Sequence, residues 1–122
     1  MKQSIGKMVV GVILPSLVVF LFNLSAAMSD DSAAGKKIFD GKCAQCHGQD
    51  AKGVAKMAKV LKVAPAKIDL TSGAAAKLSA DGVAKVVASG KKKMPKYKGK
   101  LTADEIQSVA QYVKSLQGGE SK

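Results

Sequence analysis

The sequence has few of the residues that small proteins use for metal binding and acid–base chemistry. Its 122 residues include two cysteines and one histidine, and they include no tryptophan and no arginine. The chain therefore cannot supply the four cysteine and histidine ligands of a structural zinc site. With no arginine and no second histidine, it also has no evident distal acid–base pair of the kind that cleaves peroxide.

Large apolar side chains are scarce as well. Aromatic residues make up 4% of the chain, and Phe39, Tyr97 and Tyr112 are the aromatic residues that follow the N-terminal apolar segment. A small domain with so few of them usually needs a disulfide, a metal or a bound group for stability. Basic side chains are abundant, because lysine accounts for all 20 of them and the formal net charge is +11.

The N-terminal segment has the order of a secretory signal. Two lysines precede an uncharged apolar run over residues 8–22, and small residues follow as far as Ala27. That run of about 15 residues is shorter than the roughly 20 of a membrane span, although an uncleaved anchor is the alternative. We predict a cleaved signal peptide over residues 1–27 and one domain over residues 28–122, without stable membrane insertion once the signal is removed.

Both cysteines and the histidine stand together in Cys43-Ala44-Gln45-Cys46-His47. A disulfide of this spacing closes too small a loop to stabilise a fold, and a catalytic dithiol would be expected after a strand. On a helical turn, by contrast, both sulfurs face one side and can bond to the two vinyl groups of a haem, while the imidazole reaches the iron. We predict one covalently bound haem c, whose porphyrin supplies the apolar mass that the side chains lack.

The sixth position of the iron needs another ligand, for which methionine, lysine and water are candidates. Met57 lies on an apolar stripe at helical spacing, which favours a packing role. Met94 lies in a loop rich in glycine and lysine, where Pro95 disfavours helical geometry for it. We predict Met94 as the ligand, with simple packing of its flexible side chain as the alternative.

The remaining pattern is helical, with no alternation typical of strands. A first helix over residues 33–42 would deliver the cysteines at its end, and Ser79 would cap a helix that stops at Gly90. Thr102 and Glu105 have the spacing of a capping box, and the helix that follows would end at Gly118. Its apolar stripe comprises Ile106, Val109, Ala110, Val113 and Leu116. The fold class predicted is all-α.

From about Ala33 to Leu116 the sequence resembles a class I cytochrome c of the small bacterial mono-haem type, related to the soluble carriers of cyanobacteria and algae. The stretches CAQCH and MPKYKGKLTADEIQSVAQYV carry this resemblance. It implies three to five helices wrapped around one haem. It also implies thioether bonds at Cys43 and Cys46, with His47 and Met94 as the axial ligands.

The resemblance has further structural implications. Gly35 and Phe39 on the first helix would cross the last helix at Tyr112, and the glycine would let the two backbones approach closely. The carbonyl of Pro65 would accept the imidazole proton of the proximal histidine. Ala51 departs from the glycine-rich pattern that many relatives have after the haem motif.

A haem with two axial protein ligands suits one-electron transfer, so we predict a periplasmic electron carrier and not an enzyme. The alternative is a haem c subunit or a gas or redox sensor docked to a larger redox enzyme. A thiol oxidoreductase is a further alternative. It would have free or disulfide-bonded cysteines and, without haem, no colour. The thylakoid lumen and a membrane-anchored location are lesser possibilities for the compartment.

Charge indicates the kind of partner. A solvated surface is the simpler explanation of a lysine run, but lysines around the exit route for electrons would steer docking onto a redox protein with an acidic docking face. Nucleic-acid binding is disfavoured because Tyr97 is the only aromatic residue in this basic loop. We predict a monomer. The lysines that bracket Met94 are Lys91, Lys92, Lys93, Lys96, Lys98 and Lys100.

Overall fold

The computed structural model describes residues 31–118, and the predicted signal peptide lies outside them. Within this range the chain is helical, with two isolated β-bridges and no strand, which confirms the all-α prediction. No helix in this part of the chain combines the length and apolar composition needed to cross a bilayer. The elements are α1 (residues 31–47), α2 (Ala55–Leu61), a 3₁₀ turn (Pro65–Lys67), α3 (Gly73–Ala76), α4 (Ala80–Ser89) and α5 (Ala103–Gln117).

Helices α1 and α5 cross at a glycine, as predicted. A Cβ atom on Gly35 would lie 2.2 Å from the carbonyl oxygen of Ser108 and 3.0 Å from Cβ of Tyr112. One turn further along α1, the rings of Phe39 and Tyr112 meet edge to face with their centroids 5.4 Å apart. The missing side chain therefore permits the close approach that brings the two rings together.

Local capping explains where α4 and α5 begin. The Ser79 hydroxyl accepts a hydrogen bond from the Gly82 N–H at 3.1 Å, and α4 ends at Gly90. At α5 the Thr102 hydroxyl accepts from the Glu105 N–H at 3.2 Å, while the Glu105 carboxylate accepts from the Thr102 N–H at 2.8 Å. This reciprocal pair is the predicted capping box, which stabilises a helix start by about 1 kcal/mol.

The hydrophobic core lies between α4, α5 and the middle of α1. Phe39 and Val109 are fully buried at its centre. Each such side chain contributes roughly 1.5–3 kcal/mol through the apolar surface it removes from water. The other buried members are Ala51, Val83, Ala84, Val87, Leu101, Ile106, Ala110 and Val113.

Two polar side chains of α5 hold the segment around α3, a helix that the sequence pattern did not predict. The Lys114 ammonium donates to the Leu78 carbonyl at 2.7 Å and to the Gln117 side-chain oxygen at 2.6 Å. The Gln117 amide nitrogen donates in turn to the carbonyls of Leu70 at 2.7 Å and Ala75 at 3.1 Å. Because a helix of one turn is unstable alone, these contacts hold α3 in place.

Candidate haem-binding site

The C-x-x-C-H motif forms the end of α1. Residues 39–43 are π-helical, and the N–H of Ala44 bonds to the Phe39 carbonyl, so one extra residue enters the helix just before the motif. Such π-bulges are frequent at functional sites, and no periodicity in the sequence indicated this one. Cys43 and Cys46 are both half-buried and are not joined in a disulfide, and burial raises the pKa of the Cys43 thiol to about 11. The motif therefore lies on a helix and not after a strand.

His47 is oriented by a backbone carbonyl. Its Nδ1 atom lies 2.8 Å from the carbonyl oxygen of Ile68. Because a carbonyl only accepts, Nδ1 carries the proton, and Nε2 presents its lone pair. Burial lowers the pKa of His47, with the Ile68 bond acting in the opposite direction, so the neutral ring is favoured. A neutral imidazole with a free Nε2 is the form that binds a metal.

The acceptor of this bond is Ile68 and not Pro65, so that prediction was wrong. Pro65 begins the 3₁₀ turn, and its carbonyl accepts from the Ile68 N–H at 3.1 Å. The turn uses the proline carbonyl internally, and the carbonyl of Ile68, which directly follows the turn, lies against His47. Pro65 therefore contributes by starting the turn.

The loop after His47 folds back onto the motif. The Gly53 N–H donates to the His47 carbonyl at 2.6 Å, and the Val54 N–H donates to the Cys46 carbonyl at 3.0 Å. Gly53 has φ +89°, and a Cβ atom there would lie 3.0 Å from the Ile68 side chain. The glycine thus lets the Ile68 segment reach the imidazole.

Ala51 stands where the resemblance leads one to expect glycine, and its backbone adopts a glycine-like conformation. Its φ is +61°, in the left-handed region, and its side chain is fully buried in the core. Its carbonyl accepts from the Leu70 N–H at 2.7 Å, which ties the loop to the segment that follows Ile68. Ala51 therefore adopts the left-handed conformation that glycine favours, and its methyl group packs in the core.

Met94 lies half-buried in the loop between α4 and α5, which we call the Met94 loop (residues 90–101). Its backbone exchanges two hydrogen bonds with Lys91, of 2.9 and 3.1 Å, and its side chain packs against the core. Gly90, with φ +72°, makes this possible, because a Cβ atom there would lie 2.7 Å from the Met94 carbonyl oxygen. The loop is anchored to α4 by bonds from Tyr97 N–H to the Val87 carbonyl and from the next N–H to Ala88.

Tyr97 brings the Met94 loop to the haem motif. Its hydroxyl donates to the Lys42 carbonyl at 3.1 Å, next to Cys43. Burial raises the pKa of the Tyr97 phenol, and nearby Cys43 and Cys46 act in the same direction. The tyrosine hydroxyl of the Met94 loop therefore reaches the residue that directly precedes the haem motif. Met57, by contrast, is a half-buried residue of α2.

The lysines of the Met94 loop are exposed. Within residues 31–118 the ion pair that forms joins Lys36 to Asp40 on α1, so the loop lysines are not neutralised by carboxylates of the described chain. They form a positive surface around Met94, and they are Lys91, Lys92, Lys93, Lys96, Lys98 and Lys100.

These residues fit a haem. Two sulfurs on one helical turn and an imidazole with a free Nε2 match the covalent and axial contacts that a c-type haem needs. Half-buried apolar side chains also pack against the core and keep part of their surface exposed. They include Cys43, Leu70, Leu78, Met94 and Tyr97.

Comparisons with known proteins agree with this chemistry. A family model described as "Cytochrome C oxidase, cbb3-type, subunit III" matches residues 30–113. Cytochrome c6 of Rippkaea orientalis is 41% identical over 87 residues, which cover 71% of this chain and 72% of that protein. Cytochrome c6 of a Nostoc species is 35% identical over 108 residues, covering 88% and 91%. Cytochrome c6 of Anabaena variabilis is 44% identical over 84 residues, covering 68% and 88%.

Proposed function

Because this chain belongs to the class I cytochrome c family and carries one covalently bound haem c, attached through Cys43 and Cys46, we propose that it is an exported one-electron carrier whose iron is ligated by His47 and Met94. The observation that carries the proposal is the His47 ring, whose Nδ1 is engaged by Ile68 at 2.8 Å. That contact leaves the lone pair of Nε2 available, one residue after Cys46, which supports ligation of the iron by His47.

The bound haem supplies a one-electron Fe(III)/Fe(II) couple. His47 holds its proton at Nδ1 in both oxidation states, since the Ile68 carbonyl can only accept it. This contact fixes the ring orientation and raises the basicity of Nε2, as outer hydrogen bonds to metal ligands generally do. Electron transfer then needs no proton movement at the imidazole.

Met94 supports the carrier function in two ways. A thioether ligand favours the reduced iron and so raises the reduction potential. Its loop is bonded to α4 through the backbone and packs on the core, which holds the sulfur close to one position. Met94 in this role would leave no position at the iron for oxygen or peroxide, and for this reason we propose a carrier and not an enzyme.

We propose that the positive surface around Met94 docks an acidic redox partner. All six of its lysines are exposed. Their common sign would steer encounter and make the rate of association sensitive to salt. The export signal predicted over residues 1–27 supports a location in the periplasm, with a thylakoid lumen or a membrane anchor as the alternatives. It acts as a monomer and binds no nucleic acid.

The ligand assignment is tested by optical spectra of oxidised holoprotein. We expect the weak near-infrared band that arises from sulfur-to-iron charge transfer. Met94→Ala should abolish the band, and the matched variant Met57→Ala on α2 should keep it. If the band is absent, or survives Met94→Ala, then Met94 is not the ligand and the gas-binding or sensor alternative is favoured.

The docking surface is tested by a charge reversal at matched positions. Reduced holoprotein is oxidised with ferricyanide, a small anion, at increasing ionic strength. We expect Lys96→Glu to lower the rate roughly two- to five-fold at low salt, and Lys56→Glu on α2 to lower it less. The difference in rate between the two variants should vanish near 1 M salt, where the Debye screening length is about 3 Å. Equal effects of both variants would show that net charge alone matters.

A second candidate is a haem c subunit of a larger redox enzyme, which the description of the matching family model favours. A permanent subunit usually presents an extended apolar surface to its partners. Among residues 31–118 the exposed large hydrophobic residue is Val60, at 63%, on α2, which favours the carrier. Haem staining of native gels separates the two: a free carrier migrates as a small protein, whereas a subunit migrates with a large complex.

A further inference from the structure

One side-chain hydrogen bond connects the Met94 loop directly to α1, the helix that carries the haem motif. The Tyr97 hydroxyl donates to the Lys42 carbonyl at 3.1 Å, across 55 residues of sequence. Among the side-chain hydrogen bonds of residues 31–118, it is the one that joins the Met94 loop to α1. The other anchors of the loop run to α4 through the backbone of Tyr97 and its neighbour.

The two sides of the haem site also meet in the hydrophobic core, to which both α1 and α4 contribute. The side of α1 carries Cys43, Cys46 and His47, and the opposite side consists of α4 with the Met94 loop. Helix α5 packs against both, through Gly35 and Tyr112 on one side and the valines of α4 on the other. The Tyr97 hydroxyl bond bypasses this route and fixes the separation of the two sides directly at the site.

The Tyr97 hydroxyl is held in position by its ring and acts as the donor of this hydrogen bond. The Tyr97 ring is half-buried and packs against the core, so its oxygen is held in place by the ring. The Lys42 carbonyl can only accept, and the phenol must therefore donate. Removing the hydroxyl leaves the ring packing intact, which isolates the hydrogen bond from the rest of the side chain.

We propose that Tyr97 is a positioning residue that sets how readily Met94 leaves the iron. The inference rests on the proposed ligation by Met94. With the hydroxyl bond in place, α1 and the Met94 loop keep a fixed separation, and the sulfur stays at the iron. Without it the two sides separate more often, and an entering ligand competes with Met94 more successfully.

The size of the effect follows from the net contribution of one hydrogen bond, which corresponds to roughly two- to ten-fold in an equilibrium constant. Tyr97→Phe should therefore increase the apparent affinity of the ferric haem for an added ligand by that factor. The factor should be the same for different ligands, because the change concerns the release of Met94 and not the entering molecule.

The experiment titrates ferric holoprotein with imidazole and, separately, with cyanide, and follows the loss of the methionine band. The variants are Tyr97→Phe and the matched control Tyr112→Phe, which removes the hydroxyl of the other tyrosine. We expect Tyr97→Phe to bind both ligands more tightly by one common factor, with an unchanged spectrum before addition. We expect Tyr112→Phe to behave as the wild type.

Four results would overturn the proposal. Unchanged affinities in Tyr97→Phe would show that the hydroxyl bond does not restrain the loop. An equal increase of ligand affinity in Tyr112→Phe would assign the effect to a general loosening of the protein. Factors that differ between imidazole and cyanide would assign it to the entering ligand. If Met94→Ala leaves the wild-type band in place, the ligation itself is wrong; if it removes the band while Tyr97→Phe has no effect, only the role of Tyr97 fails.

Discussion

Replacing Gly35 with alanine tests the crossing of α1 and α5. The new Cβ atom would lie 2.2 Å from the Ser108 carbonyl oxygen and 2.8 Å from its carbonyl carbon. These are backbone atoms of a helix, which cannot turn aside as a flexible side chain would. The two helices must therefore move apart by roughly 1 Å, and close-packed interiors resist such shifts.

The expected cost combines three effects. Overpacking of this kind costs about 1–3 kcal/mol, and the short backbone distance puts Gly35→Ala at the upper end. Separation of the helices also weakens the edge-to-face contact of Phe39 with Tyr112, which is worth about 0.5–1.5 kcal/mol. Alanine regains roughly 1 kcal/mol of helix propensity. The net loss of unfolding free energy should be about 2–3 kcal/mol, which lowers Tm by roughly 10–20 °C for a domain of this size.

Urea unfolding of the holoprotein, followed by far-ultraviolet circular dichroism, measures the effect. Gly41→Ala is the matched control, because Gly41 lies on the same helix and a Cβ atom there would meet nothing within 4 Å. The control should keep or slightly increase stability through helix propensity. Equal stability of the two variants would refute the reasoning, since it would mean that the crossing does not need a glycine.

Three further predictions concern the Ile68 segment and the helix caps. Gly53→Ala should cost about 1–2 kcal/mol more than Gly99→Ala in urea unfolding, because both have φ +89° but only Gly53 would place its Cβ against Ile68; equal losses would contradict the crowding. Thr102→Ala should lower the unfolding free energy by about 1 kcal/mol through loss of the cap, and an unchanged urea midpoint would contradict that role. Hydrogen bonds from the side chain and backbone of Thr71 lower the pKa of Asp69, so its contribution is present above the unfolded value near 3.8 and is lost as pH falls through the lower folded pKa. Acid titration of stability should therefore show a shallower loss in Asp69→Asn than in the wild type.

The sequence predicted those features that depend on nearby residues. Ser79 and Thr102 each cap a helix through an atom three residues away, so their sequence spacing alone indicates where α4 and α5 begin. The C-x-x-C-H motif is equally local. Gly35 was identified through the resemblance, and the structure confirms the close approach of the two helices there.

The features that escaped prediction depend on backbone groups or on distant partners. The carbonyl that accepts from His47 could belong to any residue type, so the side chain of Ile68 does not indicate its role. The resemblance indicated Pro65 instead, and that prediction was wrong. Helix α3 has one turn and is held by Lys114 and Gln117 from a remote part of the chain. Ligation by Met94 stays a prediction, for which the spectra are the test.

The crossing of α1 with α5 also affects the order in which parts of the chain fold. Gly35 and Ser108 lie roughly 70 residues apart in the chain, and such long-range closure comes late in folding. The core around Phe39 therefore cannot be completed until α5 has packed against α1. Until then Cys43 and Cys46 stay accessible at the end of an uncovered helix. Late closure would thus leave both sulfurs accessible for haem attachment before the core around Phe39 is complete.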